Sequence, residues 1–401
     1  MRSIVRIVGL LTLSAGVASA QQPLSRAEAW SAALTRGGRM GLARADSAMA
    51  RGALLTARQF ENPTLGLSYS RSTPQEHYSV DLPLDYPWLR RDRIGGAEAG
   101  YAAARIRLKL ERAAAAFEVD AGYTDALAAA KRARLSALTS HDADSVLTLA
   151  KLRRDAGDGS ELDVQLAIVN AGQLANDAER DQLDAQTSLL ALQAAIGMAA
   201  DSARVTLTDT LESGTTRAAP GGATLLAVAA AEEDVVAAER SLALARGLMW
   251  PAPSLSLGFE SHDPGGTENQ ALPTIGFSFP LPVLHKNAGA VAQAQAARDR
   301  AAAALLLARI GASQQASKAL REATAAQSRL NRSVQLLSAA ERVAALSLVA
   351  FREGAAALPS VLEAQRSART AMTQYVNDLA AARTAAALLQ FATLTVNDTI
   401  P

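Results

Sequence analysis

Two short windows of the chain alternate apolar and polar residues with period two, and the rest follows a helical pattern. In the first window Leu65, Leu67 and Tyr69 alternate with Thr64, Gly66, Ser68 and Ser70, and Tyr78, Val80, Leu82 and Leu84 alternate with Ser79, Asp81 and Pro83. In the second, Leu255, Leu257 and Phe259 alternate with Ser254, Ser256, Gly258 and Glu260. Ile275, Phe277, Phe279 and Leu281 then alternate with Thr274, Gly276 and Ser278. Each run predicts a strand with one apolar and one small or polar face. Arg71–His77 and Ser261–Ala271 are rich in turn formers, so two β-hairpins are expected, at about 63–84 and 254–281.

Between the windows proline disappears, from Pro87 to Pro220 and again from Pro282 to Pro359. Ala, Leu, Arg, Glu and Lys fill these stretches, predicting helices from about 90 to 156 and from about 287 to 353. Each is about 100 Å long at helical rise. Helices of that length imply a coiled-coil-like bundle or a tube rather than a compact domain. Composition agrees: 49% of residues are apolar but only 4% aromatic. Alanine supplies the difference, which suits long helices packed closely along their length.

The halves repeat. Asn62-Pro-Thr-Leu-Gly-Leu-Ser-Tyr69 aligns with Ala252-Pro-Ser-Leu-Ser-Leu-Gly-Phe259. Asp81-Leu-Pro-Leu84 aligns with Ser278-Phe-Pro-Leu281 at the offset that also relates the turns around Gly157 and Gly354. The expected organisation is a leader over 1–20, a first repeat over 21–200, a connector over 201–222 with a short strand near Arg204–Thr208, and a second repeat over 223–401. Each repeat runs helix, hairpin, long helix, turn, helix.

Charge and cysteine content narrow the setting. Arg2 and Arg6 precede an apolar run from Ile7 to Val17, and Ala18-Ser19-Ala20 reads as a cleavage site, so a secretory leader is expected. The absence of cysteine excludes disulfides and thiolate metal sites. A formal net charge of +1 gives no reason to expect nucleic acid. No stretch after the leader is expected to supply the 18 or more apolar residues of a membrane helix, so any membrane span must be a barrel. Bacterial transmembrane barrels have at least eight strands. Four per chain therefore require more than one copy, two giving eight strands and three giving twelve. Leu65, Leu67, Leu255, Leu257, Ile275 and Phe277 are expected to face lipid, with Trp88 and Trp250 at the membrane interface.

These features resemble the TolC-type outer-membrane efflux proteins over essentially the whole chain after the leader. Pro23-Leu-Ser-Arg-Ala-Glu-Ala29 is similar to the family's opening helix, and Asn62-Pro-Thr-Leu-Gly-Leu to its approach to the first strand. Arg153-Arg-Asp-Ala-Gly157-Asp-Gly-Ser-Glu-Leu-Asp163 resembles the first helix–turn–helix tip, and Phe351-Arg-Glu-Gly354 through Glu363 the second. Gly37-Gly38 departs from the usual Asn-Pro, and Ser360 stands where many relatives place a carboxylate.

The resemblance implies a mainly α chain with a small β part. Three copies would assemble into a twelve-stranded outer-membrane barrel and a long periplasmic α-helical barrel. It implies a passive exit duct served by a periplasmic adaptor and an inner-membrane pump, most often of the RND type. The short chain is most similar to the heavy-metal (CzcC-like) branch. Gly157, Asp158, Gly354 and Ala355 would form the adaptor-docking tips. Glu363, Asp163, Arg352 and Glu353 are the candidate gate, a threefold ring at Glu363 favouring cations. An exit duct for protein secretion is the alternative within the family, and a periplasmic coiled-coil adaptor the alternative outside it. No cofactor, metal or catalysis is expected: His77, His141, His262 and His285 pair with nothing at metal-ligand spacing.

Overall fold

The computed structural model describes residues 22–72, 74–199, 205–214, 224–250, 252–262, 272–282 and 286–398. The leader, much of the connector and most of the turn after Ser261 lie outside these. In chain order the elements are β1 (Gln22–Leu24), α1 (Arg26–Arg36), α2 (Gly38–Arg58), β2 (Thr64–Tyr69), β3 (Glu76–Pro83), α3 (Pro87–Asp155), α4 (Glu161–Ala195), β4 (Val205–Leu207), α5 (Leu226–Gly247), β5 (Ser254–Ser261), β6 (Leu272–Ser278), α6 (Ala288–Arg352) and α7 (Leu358–Ala392). α3 runs 69 residues and α6 65, each followed by a 35-residue helix.

Compactness divides the chain into two units, each drawing on both sequence repeats. One comprises residues 1–32, 119–212 and 335–380; the other comprises 33–118, 213–334 and 381–401.

The first unit holds a parallel strand pair that the sequence pattern did not announce, β1 against β4, with Leu24 opposite Leu207. This corrects the expected start of the opening helix. Pro23 and Leu24 are strand, and α1 begins only after Ser25, whose hydroxyl and amide both donate to Glu28 at 2.8 and 2.7 Å as an N-terminal cap. Tyr123 of α3, fully buried, holds the pair in place: its hydroxyl donates to the Leu24 carbonyl at 2.8 Å and accepts from the Asp209 amide at 3.4 Å. Arg26 forms an ion pair with the buried Asp120 and also donates to Thr124 at 3.1 Å. Much of the interior is alanine. Ala128 and Ala380 pack around Val376, and Ala143 and Ala171 against Leu174. The alanine excess is therefore the packing surface between helices.

In the second unit Gly37 separates α1 from α2. A Cβ there would collide with the Ala33 carbonyl oxygen, so only glycine lets the chain turn this closely. Arg44 then donates to the Leu34 and Thr35 carbonyls that the break leaves without helical partners. At the end of α2, Arg93 donates to Asp85 at 2.5 Å and to the Ala57 and Gln59 carbonyls at 3.1 and 3.4 Å. Arg90 stacks on Phe60 at 4.4 Å. These contacts fasten the starts of β2 and α3 to the end of α2.

One expectation is corrected by composition. α6 contains an 18-residue window of mean hydropathy 1.5, only 6% of it buried, so by length and composition this helix is apolar enough to cross a membrane. Its apolarity comes from short alanine-rich runs interrupted by charges such as Arg309, which pairs with Glu232 at 2.9 Å. Scanning for uninterrupted apolar residues passes over such a helix.

Candidate functional site: the four-stranded sheet and the helical tips

The two hairpins join into one antiparallel sheet of order β2-β3-β5-β6. Its register carries the alternation of the sequence across all four strands. Leu65, Val80, Leu257 and Ile275 form one cross-strand row; Leu82, Leu255 and Phe277 form another. Leu67 lies opposite Tyr78, which stacks on Phe259 at 4.7 Å. All six residues expected to face lipid thus share one face. It is largely uncovered within the chain: Leu65, Phe277 and Ile275 are 66, 66 and 79% exposed.

The opposite face is small and polar. Thr64, Asp81 and Ser256 form one row, with the Ser256 hydroxyl on the Asp81 carboxylate, and His77 meets Glu260 at 3.3 Å. Aromatic pairs stand below the sheet, Tyr86 on Trp88 at 4.6 Å and Trp250 on Phe279 at 6.2 Å. Among the described residues, the outer edges of β2 and β6 have no partner strand.

The tips lie in the other unit. Gly157 and Gly354 have φ of 81° and 77°, the left-handed conformation that ends a helix without penalty only at glycine. At the first, Gly157 N–H bonds Arg154 O at 3.0 Å and Asp158 N–H bonds Arg153 O at 2.9 Å. At the second, Gly354 N–H bonds Phe351 O at 3.1 Å and Ala355 N–H bonds Ala350 O at 2.8 Å. Both are Schellman closures. Arg153 joins the tips: its guanidinium lies 4.8 Å over the Phe351 ring and donates to the Phe351 carbonyl at 3.3 Å. Val164, Phe351 and Val361 share the core behind them.

The candidate gate residues are placed differently from one another. Asp163 caps α4: its carboxylate accepts from the Ser160 hydroxyl at 2.7 Å and the Ser160 amide at 3.2 Å. Arg352 and Glu353 are exposed, and neither has an ion partner among the described residues. Glu363 lines a groove of about 680 Å³ between α4 and α7 together with Asn170, Asp177, Arg366 and Arg369. Burial, with Arg366 beside it, pulls the Arg369 guanidinium below its ordinary value, and Asp177 opposes the shift. The two arginines were missed from sequence, although Glu363, Arg366 and Arg369 at three-residue spacing fall on one helix face. Among the described residues, no three acidic or histidine side chains cluster to hold a metal.

No protein-family model and no curated protein matches the sequence. Solved structures do match. The outer membrane protein VceC of Vibrio cholerae superposes with a TM-score of 0.74 at 18% identity, covering 92% of this chain and 95% of VceC. The fold is that of an outer-membrane channel protein. The Campylobacter jejuni CmeC outer membrane channel has the same fold, with a TM-score of 0.77 at 15% identity over 92% of this chain and 85% of its own. So does a membrane protein from Pseudomonas aeruginosa, with a TM-score of 0.79 at 20% identity over 94% and 92%. The outer-membrane channel fold covers both the sheet and the long helices of this chain, as the resemblance to the TolC-type proteins implied.

Proposed function

We propose that this chain is the outer-membrane exit duct of a tripartite efflux system. It would conduct substrate passively from an inner-membrane pump of the RND type and a periplasmic adaptor to the outside. Three copies would close twelve strands into a barrel in the outer membrane, above a periplasmic helical extension. One observation carries this reading: among the described residues, a single sheet has a continuous exposed apolar face, a polar reverse and two open edges. In hydrocarbon each unpaired edge group costs several kcal/mol, so the sheet reaches lipid only when other copies close it. The apolar face then meets lipid and the face bearing Asp81 and Glu260 lines water.

In this reading the tips at Gly157, Asp158, Gly354 and Ala355 receive the adaptor. The groove bearing Glu363 narrows the periplasmic end, and Arg352 and Glu353 pair between copies. Arg366 and Arg369 temper the cation preference that Glu363 alone would give. Purified protein in planar lipid bilayers tests both levels. Discrete conductance steps are expected, with Glu363→Ala moving the reversal potential towards anions and Arg369→Ala towards cations. Absence of steps contradicts the channel; steps with unchanged selectivity in both variants contradict the gate.

A further inference from the structure

The groove of about 680 Å³ between α4 and α7 is lined by polar side chains that the fold leaves unused. Arg366 and Arg369 stand one helical turn apart on α7. Among the described residues, neither guanidinium has a hydrogen-bond or ion partner within the chain. Asn170 and Gln173, one turn apart on α4, likewise make no side-chain hydrogen bond among the described residues. Four donor-bearing side chains, two from each helix, therefore line one cavity large enough for a small molecule.

Arg369 is half-buried, and a guanidinium keeps its charge in a protein. Holding that charge partly out of water without a partner costs free energy, so burial, ahead of repulsion from Arg366, lowers its basicity. An oxyanion with two coplanar oxygens would offset the cost, because it matches the guanidinium fork. The balance of charge selects among oxyanions. Asp177 and Glu363 also line the groove, but the Asp177 carboxylate is held by Arg180 at 3.0 Å. Two arginines then face Glu363 alone, an excess of one positive charge that suits a monoanion better than a phosphate dianion.

Polarity is also graded along the groove. α4 and α7 both lead away from a tip, so the partly buried Leu166 and Leu362 line the end nearer the tips. Arg369 lies about 10 Å further along α7 than Leu362. We propose that this groove binds an amphipathic monocarboxylate, with its carboxylate on Arg366 and Arg369, Asn170 and Gln173 donating beside it, and its apolar body against Leu166 and Leu362. The exit-duct reading above makes such organic acids cargo that pauses in the groove; binding itself requires only the α4–α7 pair.

Calorimetric titration of the full-length protein in lipid nanodiscs with 3-phenylpropionate tests the site. Saturable binding is expected, weakened on the order of tenfold by Arg366→Gln or Arg369→Gln, since each removes a charge-assisted hydrogen bond. Glu363→Gln should strengthen binding, because the opposing charge is gone. The matching amide, 3-phenylpropanamide, and inorganic phosphate should each bind more weakly, also on the order of tenfold. These two ligand comparisons use the unmodified protein and hold even where a variant fails to fold. Absence of saturable heat, equal binding of acid and amide, or unchanged affinity in both arginine variants overturns the site. Phosphate binding as tight as that of the acid overturns the monocarboxylate class. Conductance steps in bilayers without ligand binding overturn this inference and leave the exit duct standing, whereas ligand binding without conductance overturns the duct and leaves the site.

Discussion

The turn at Gly157 and the turn at Gly354 share a backbone and differ in almost every side chain around it. The first is charged. Arg154 bridges Asp155 at 2.8 Å and Glu161 at 3.2 Å, and Ser160 with Asp163 forms a reciprocal cap on α4. The second carries Arg352 and Glu353 before its glycine and is apolar after it. Ala355, Ala356, Ala357 and Leu358 follow the glycine, Pro359 stands in the first turn of α7 where a missing N–H does no harm, and the Ser360 hydroxyl only returns to the Ala357 carbonyl at 2.7 Å. The repeat conserves the means of reversing the chain and leaves the exposed chemistry free to diverge. A partner docking on both tips would therefore meet polar side chains after the first glycine and apolar ones after the second.

The largest effects should come from what the tips share. Gly157→Val and Gly354→Val each force a β-branched residue into the left-handed region, at a cost of about 1–2 kcal/mol. Open space surrounds both glycines, so folding and assembly should survive. Export by cells should be lost in both variants while the oligomer persists on native gels; wild-type export by either removes the docking role of that tip.

What the tips do not share should give a smaller, one-sided effect. Asp163→Ala removes the reciprocal half of the α4 cap, leaving the Ser160 hydroxyl on the residue 163 amide, and should cost up to about 1 kcal/mol, seen as faster amide exchange in the first turn of α4. Ser360→Ala, at the corresponding place in the second tip, should leave exchange at the start of α7 unchanged. Equal responses would mean that the caps do not distinguish the tips.

The smallest expected effect is a pH dependence. Hydrogen bonds from Gln165 and then Arg154 hold the Glu161 carboxyl below its ordinary value of 4.5. A lowered acid stabilises the folded tip fully above pH 4.5 and loses that contribution as the pH falls through its lower folded value. Amide exchange at the first tip should therefore rise on acidification more than at the second. Acid sensitivity of both tips together would assign the effect to something other than Glu161.

Periodicity made most of this architecture readable before any coordinates. Strands such as Leu255-Ser-Leu-Gly-Phe259 keep strict alternation because one face is apolar throughout. The long helices announce themselves by lacking proline, and the tips by glycine after a charged last turn. What escaped is what periodicity does not encode. β1 and β4 are three residues each and lie far apart in sequence, too short for a pattern and joined only through Tyr123 and the strand ladder. The pairing of β3 with β5 likewise joins strands far apart in sequence. At the candidate gate, Glu363 was legible as a lone carboxylate near a turn. Its neighbours Asp177 and Arg369 came into view only once α4 and α7 lay side by side.

The proposed placement of the four-stranded sheet in a membrane is tested most directly by single cysteines placed along β2 in this cysteine-free chain, each challenged with a water-soluble maleimide in outer membranes. Period-two labelling is expected, with cysteine at Gly66 and Ser68 reacting and at Leu65 and Leu67 protected by lipid. Uniform reaction at all four positions would show that the apolar face never enters the bilayer, and would contradict the account.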